Sequence, residues 1–138
     1  MHYSLSNNTY LLRLLPGEEL IESLTQFCKD HAITGGSITG LGGTTNATLH
    51  YFNSQTKQYQ ERYCTGQFFE VVNITGNISV EKLHIHVTIG DHTFQAWAGH
   101  CGQLVADPTL EIFMTPFPET HRRFDDASGL QLLDLPQK

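Results

Sequence analysis

Long apolar runs are missing from this sequence. No stretch approaches the ~20 residues a helix needs to cross a bilayer, so a helical membrane protein is excluded. Cysteine is scarce: Cys28, Cys64 and Cys101 are odd in number, widely spaced and in no CxxC pair. Neither a disulfide framework nor a zinc ribbon is indicated, and reduced thiols are expected. Residues Met1 to Asn8 lack the basic start and apolar stretch of a secretory signal, so a cytoplasmic protein without membrane contact is expected. In that setting the N-x-[ST] triplets at Asn7, Asn46, Asn73 and Asn77 carry no expectation of glycosylation. Positive charge is also short. With 8 Lys and Arg against 14 Asp and Glu, the net charge is −6. A chain that grips nucleic acid by itself is expected to have a pI above ~9 or a basic stripe. Here the pI is near 5.7, and the adjacent basic pair Arg122-Arg123 is soon followed by Asp125-Asp126.

The 138 residues, 39% of them hydrophobic, suffice for one domain with a real core and leave no room for a second of ordinary size. No internal repeat, low-complexity tract or linker divides the chain. The segment Thr9 to Leu15 is apolar and strand-like, and Pro16-Gly17 closes it. Glu18 and Glu19 then open a helix with Leu20, Ile21, Leu24, Phe27 and Cys28 on one face. The carboxylates suit its positive N-terminal end, and Lys29 and His31 suit the other. From Ile33 onward the pattern is β. Strands are expected at Ile33 to Leu41, Ala47 to Phe52, Lys57 to Tyr63, Phe68 to Ile74, Lys82 to Ile89, Thr93 to His100 and Thr109 to Met114. Gly76-Asn77 is expected to interrupt the fourth of these, and Pro116 and Pro118 end the last. The glycines from Gly35 to Gly43 lack GK[ST] and a following helix, so close backbone packing explains them better than a phosphate loop. The expected class is α+β: a mostly antiparallel sheet with one main helix packed on it, a core of about residues 9–115 and a tail over 116–138.

One excess stands out: 8 histidines equal the whole Lys and Arg total. In Leu83-His84-Ile85-His86-Val87-Thr88-Ile89 the apolar residues alternate with polar ones, so both imidazoles share a sheet face. If Gly90, Asp91 and His92 form a three-residue loop, Ala96 lies opposite His86, Ala98 opposite His84, and His100 opposite Lys82. His84, His86 and His100 then share a face beside two small residues, an arrangement able to hold a divalent metal with an open position. A two-residue loop would turn His100 away. Strand histidines are also common as plain surface or hydrogen-bonded core residues, and that reading stays open. Cys101 points to the opposite face, and His2, His31, His50, His92 and His121 read as surface or loop residues. No Ser-His-Asp or Cys-His nucleophile arrangement is supported.

In order along the chain, Leu12-Arg13-Leu14-Leu15-Pro16-Gly17-Glu18-Glu19-Leu20, Gly40-Leu41-Gly42, Leu49-His50-Tyr51-Phe52, Thr75-Gly76-Asn77-Ile78, His84-x-His86, Gly99-His100 and Glu111 form a series. It resembles the plants-and-prokaryotes conserved (PPC) domain over roughly residues 9–115. The resemblance implies a homotrimer with a divalent metal, zinc foremost, on His84, His86 and His100. It also carries the DNA-binding label of plant relatives with an AT-hook, but this chain has no Arg-Gly-Arg-Pro core and no basic arm. A trimer of −6 subunits should repel DNA at long range, so direct nucleic-acid contact is not expected. The expected function is a regulatory or binding module for a protein or small-molecule ligand. The alternative is a metal-dependent lyase or decarboxylase acting on a small carboxylate, because the fold also resembles that of acetolactate decarboxylase. In that case Glu70 or Glu111 would act as acid or base, Arg13 would hold the carboxylate, and Asn77 could reach the pocket. A structural ion pair of Arg13 with Glu111 or Glu70 is the plainer expectation. A single helix covers one sheet face only, so Phe68, Trp97 and Phe113 on the other are expected to be buried by subunit packing.

Overall fold

The structure, a computed structural model, describes residues 1–136. Its elements in chain order are β1 (His2–Ser6), β2 (Thr9–Leu14), α1 (Leu20–Asp30), β3 (Gly36–Asn53), β4 (Gln58–Ile78), β5 (Leu83–Gly90), β6 (Ala96–Pro116), β7 (Arg122–Asp125) and β8 (Leu130–Leu133). The fold is α+β, one helix on a mostly antiparallel sheet ordered β1-β2-β6-β3-β4-β5. The first five residues of β6, Ala96 to His100, also pair with β5, so the sheet closes on itself around β6, β3, β4 and β5. Among the described residues no helix is long and apolar enough to cross a membrane.

Between Gly36 and Pro116 the strands are fewer and longer than the sequence pattern predicts. The expected strands starting at Ile33 and at Ala47 fall in one strand, β3, which begins only at Gly36 and runs through bulges at Gly40/Gly42 and Thr44/Asn46. The expected strands starting at Lys57 and at Phe68 merge into β4, which begins at Gln58, and those starting at Thr93 and at Thr109 merge into β6, which begins only at Ala96. The glycines that look like breaks are sites of close approach. A Cβ at Gly40 would sit 2.6 Å from the Glu111 carbonyl oxygen, and one at Gly76 2.5 Å from that of His84. Gly76-Asn77 therefore does not interrupt β4, which continues to Ile78. β1 is unexpected. Tyr3 and Leu5 alternate with His2, Ser4 and Ser6, but all five residues are exposed. The strand is held by backbone pairing to β2 across Asn7-Asn8 and by the Tyr3 ring, edge-on to Phe27 at 5.1 Å. Both asparagines take positive φ, 46° and 59°, as a two-residue hairpin turn requires.

Helix α1 begins as its carboxylates predict. Glu19 is the N-cap, its Oε2 accepting from the Glu22 N–H at 2.7 Å. Its Oε1 accepts from the Leu104 N–H at 3.0 Å and so pins the helix to β6. Leu20, Leu24, Phe27 and Cys28 form its buried face. At the far end the His31 ring stacks on Phe27 with centroids 4.0 Å apart, so it is a helix-end packing residue and not a free surface one. The core below the helix is built from Leu12, Leu14, Ile38, Ile74, Leu110 and Ile112 with their neighbours, all nearly or fully withdrawn from water. All three cysteines are buried and unpaired, and burial pushes the Cys28 thiol up to about 11 and, with Glu19 nearby, the Cys101 thiol up to about 12.

The opposite face is apolar and open. Leu11, Leu41, Phe68 and Phe113 are each more than two-fifths exposed. Trp97 is not part of that face. It packs edge-on against Phe69 and lies under the Arg62 guanidinium, 4.8 Å from ring centroid to Cζ.

Candidate metal centre

His84 and His86 lie on β5, and His100 lies on β6. Their candidate ligand nitrogens all fall within 4.8 Å of one another. The pairing that brings them together differs from the three-residue loop. Strand β5 ends at Gly90 and β6 starts at Ala96, so the connection is Asp91–Gln95. Asp91 organises it, its Oδ1 accepting from the Thr93 and Gln95 N–H groups at 2.8 and 3.1 Å, while Phe94 takes a left-handed φ of 63°. The register therefore moves by four residues. His100 lies directly opposite His86, not Lys82, Ala98 lies opposite Thr88, and Ala96 opposite Gly90. An even shift keeps every side chain on its face, so the three rings still meet.

The donor set fits a divalent ion. His84 Nε2 and His86 Nε2 are 3.2 Å apart, close to the roughly 3.3 Å between two ligands at tetrahedral angle on zinc at ~2.0–2.1 Å. The His100 ring centroid is 5.2 Å from that of His84 and 5.4 Å from that of His86. Burial, then the Arg122 guanidinium and the neighbouring imidazoles, pushes His84 down to about 4. Burial, then His86 and Lys82, does the same to His100. Both rings are therefore neutral near pH 7 and keep a nitrogen lone pair for coordination.

Two residues that sequence reasoning placed elsewhere belong here. His50, read as a surface residue, sits on β3 opposite His100 with its ring stacked 6.0 Å away. A Cβ at Gly102 would fall 2.5 Å from its ring atoms, so glycine there makes room for it. Arg122, in the tail, turns inward from β7. Its Nη2 donates to Asn77 Oδ1 and lies 3.4 Å from His84 Nδ1, and its Nη1 donates to the Gln131 carbonyl at 2.9 Å. Asn77 itself is the cross-strand neighbour of His84. The tail hairpin β7–β8 thus forms one wall of a cavity of about 720 Å³ that holds the three histidines.

Arg13, Glu111 and Glu70 are not brought to this cavity. Arg13 and Glu111 are cross-strand neighbours on β2 and β6, beside Leu11 and Phe113 on the open apolar face, and form no ion pair with each other or with Glu70 among the described residues. Glu70 lies on β4 between Gly43 and Gly90, in a separate depression with Leu41 and Phe68.

The base of the hairpin carries a charge cluster. His121 bonds Glu81 through Nδ1 at 3.1 Å and Glu119 through Nε2 at 3.0 Å. The two carboxylates, Glu81 foremost, raise it above the ordinary 6.5. A proton held more tightly in the fold stabilises it fully below the unfolded value, about pH 6.5, and that contribution fades as pH rises through the elevated folded value. In an NMR titration His121 is expected above 6.5, and a Glu81→Gln/Glu119→Gln variant should bring it back toward the ordinary range. A midpoint that the double variant leaves in place would refute the cluster.

Residues 1–118 match the Plants and Prokaryotes Conserved (PCC) domain, the PPC domain named above, and the chain belongs to that family. Among solved structures it is similar to a "putative DNA binding protein" from Bacteroides thetaiotaomicron, 31% identical with a TM-score of 0.90 over 96% of each chain. It is also similar to a metal-containing protein from Archaeoglobus fulgidus, 25% identical with a TM-score of 0.83 over 97% of each chain. A curated relative, the bifunctional protein GlmU of a Synechococcus strain, is 30% identical over 129 residues, 90% of this chain. The chain spans only 20% of that relative's length.

Proposed function

We propose that this protein is a trimeric divalent-metal-binding module, with zinc as the resident ion, that binds a protein or small-molecule ligand in a regulatory role without direct DNA contact. The observation that carries the reading is the 3.2 Å separation of His84 Nε2 and His86 Nε2, with His100 closing the set. His84, His86 and His100 would hold the ion. When bound, it would supply a Lewis-acid position open to an oxygen or nitrogen ligand. Neutral imidazoles favour its uptake, and Asn77 with Arg122 flanks the outer side of His84. The name of the Archaeoglobus relative supports the metal.

The trimer rests on the family resemblance and on the open apolar face around Leu11, Leu41, Phe68 and Phe113, which subunit packing would cover. DNA binding, in the name of the Bacteroides relative, does not extend to a chain of net charge −6. Equilibrium dialysis against zinc, with metal analysis, should find one ion per chain, and sedimentation should give three times 15.5 kDa. Metal at background level, or a single 15.5 kDa species at micromolar concentration, would overturn the respective half of the reading.

A further inference from the structure

The charge around the histidine cavity is opposite to that of the chain. Two of the 8 Lys and Arg, Lys82 and Arg122, line it, and none of the 14 Asp and Glu does. Neither cation has a carboxylate partner among the described residues. The Arg122 guanidinium meets only neutral partners, the Asn77 side chain, the Gln131 carbonyl and, 3.4 Å from Nη2, His84 Nδ1. Its Nε–H is out of contact with water and has no acceptor. The nearest acids stay outside. Glu81 accepts from the Arg122 backbone N–H at 2.9 Å and is engaged by His121, and Glu61 faces His50 at 3.5 Å. A guanidinium partly withdrawn from water without a counter-charge is costly unless an anion joins it, and its planar fork matches a carboxylate. The remaining wall is apolar, with Phe52 and Tyr59 in ring contact at 5.1 Å and Leu130 and Leu132 from the tail hairpin.

We propose that this cavity binds an organic carboxylate with an apolar body, its oxygens held by Arg122 and Lys82 and its body laid against Phe52, Tyr59 and the β7–β8 hairpin. The role the sequence reading offered to Arg13 thus falls to Arg122. The proposal deepens the metal-module reading by naming the ligand class, and it shares the cavity of that centre, but its fixed charge comes from the chain's own cations. The two can therefore fail separately.

The test is calorimetry or NMR titration of the full chain with benzoate, neutral benzamide and inorganic phosphate, in zinc-loaded and EDTA-treated protein. Benzoate should bind saturably in both, and about tenfold more tightly than benzamide, the worth of one charge-assisted contact. Arg122→Gln should remove that advantage, and Arg123→Gln, whose side chain is exposed, should keep it. Because Arg122 also anchors the hairpin, Lys82→Gln is the second variant and should weaken benzoate several-fold with benzamide unchanged. Benzamide binding as well as benzoate, or both Arg122→Gln and Lys82→Gln leaving benzoate unaltered, would overturn the site. Phosphate matching benzoate would overturn the apolar body. Zinc uptake without benzoate binding would sink this proposal alone, and benzoate binding without zinc uptake would sink the metal centre alone.

Discussion

Alanine at His84 and His86 together should reduce bound metal from one ion per chain to less than about a tenth. A tetrahedral site that loses two of three protein ligands retains one imidazole and solvent, which does not compete with free chelators in a dialysis. The loss should be specific to coordination. His86 is exposed and His84 and His100 are only partly buried, so removing the rings opens the cavity without excavating the core. The double variant should therefore keep its far-ultraviolet circular dichroism. His50→Ala supplies the contrast, because His50 stacks on His100 but is not one of the three converging ligands, and its stoichiometry should hold. Metal analysis after exhaustive dialysis decides the matter: a double variant with the wild-type metal content would refute the assignment.

The second large effect lies in the core. Ile112→Ala should destabilise the fold by ~2–5 kcal/mol, the range for emptying a packed aliphatic site. Ile112 is 0% exposed on β6, opposite Leu12 of β2 on one side and Gly40 of β3 on the other. Little can collapse into the space, because β3 and β6 are already at contact distance at Gly40. Urea unfolding should show a lower midpoint with an unchanged slope. The next residue gives the opposite result. Phe113 is 51% exposed on the other face, so Phe113→Ala should change chain stability by no more than about 0.5 kcal/mol. If the apolar face joins subunits, that same variant should lower the sedimenting mass. Equal destabilisation by both substitutions would contradict the facing of β6.

Much of this site is legible in the sequence because a strand writes its faces in steps of two. Leu83 to Ile89 alternates without interruption, and that alone places His84 and His86 side by side. The facing of His100 also follows, even though the expected loop is too short, because the error in register is an even number of residues. The positions opposite the histidines do not follow. They depend on how Asp91 folds the connection and on the left-handed Phe94. His50 and Arg122 are invisible for a different reason. Each meets the cluster through a contact distant in sequence, His50 by pairing of β3 with β6 and Arg122 by the return of the tail across β4 and β5. In the bare sequence Arg122 is one half of a basic pair. In the fold, alternation along β7 separates the two, sending Arg122 inward while Arg123 stays outside, 3.8 Å from Asp134.

The amphipathic helix, the antiparallel character of the rest, the shared face of two histidines and the poverty of positive charge can all be read before folding. These are local or compositional properties, set by side-chain period and by counting ionisable groups. Three long strands running through their glycines, a sheet closed on itself, and two of the scarce cations, Lys82 and Arg122, facing the histidines are consequences of tertiary packing. Close approach of β3 and β6 at Gly40, the five-residue connection at Asp91 and the folding-back of the tail each join segments far apart in the chain. Such contacts form because burial of the whole core favours them, and no window of local sequence encodes that sum.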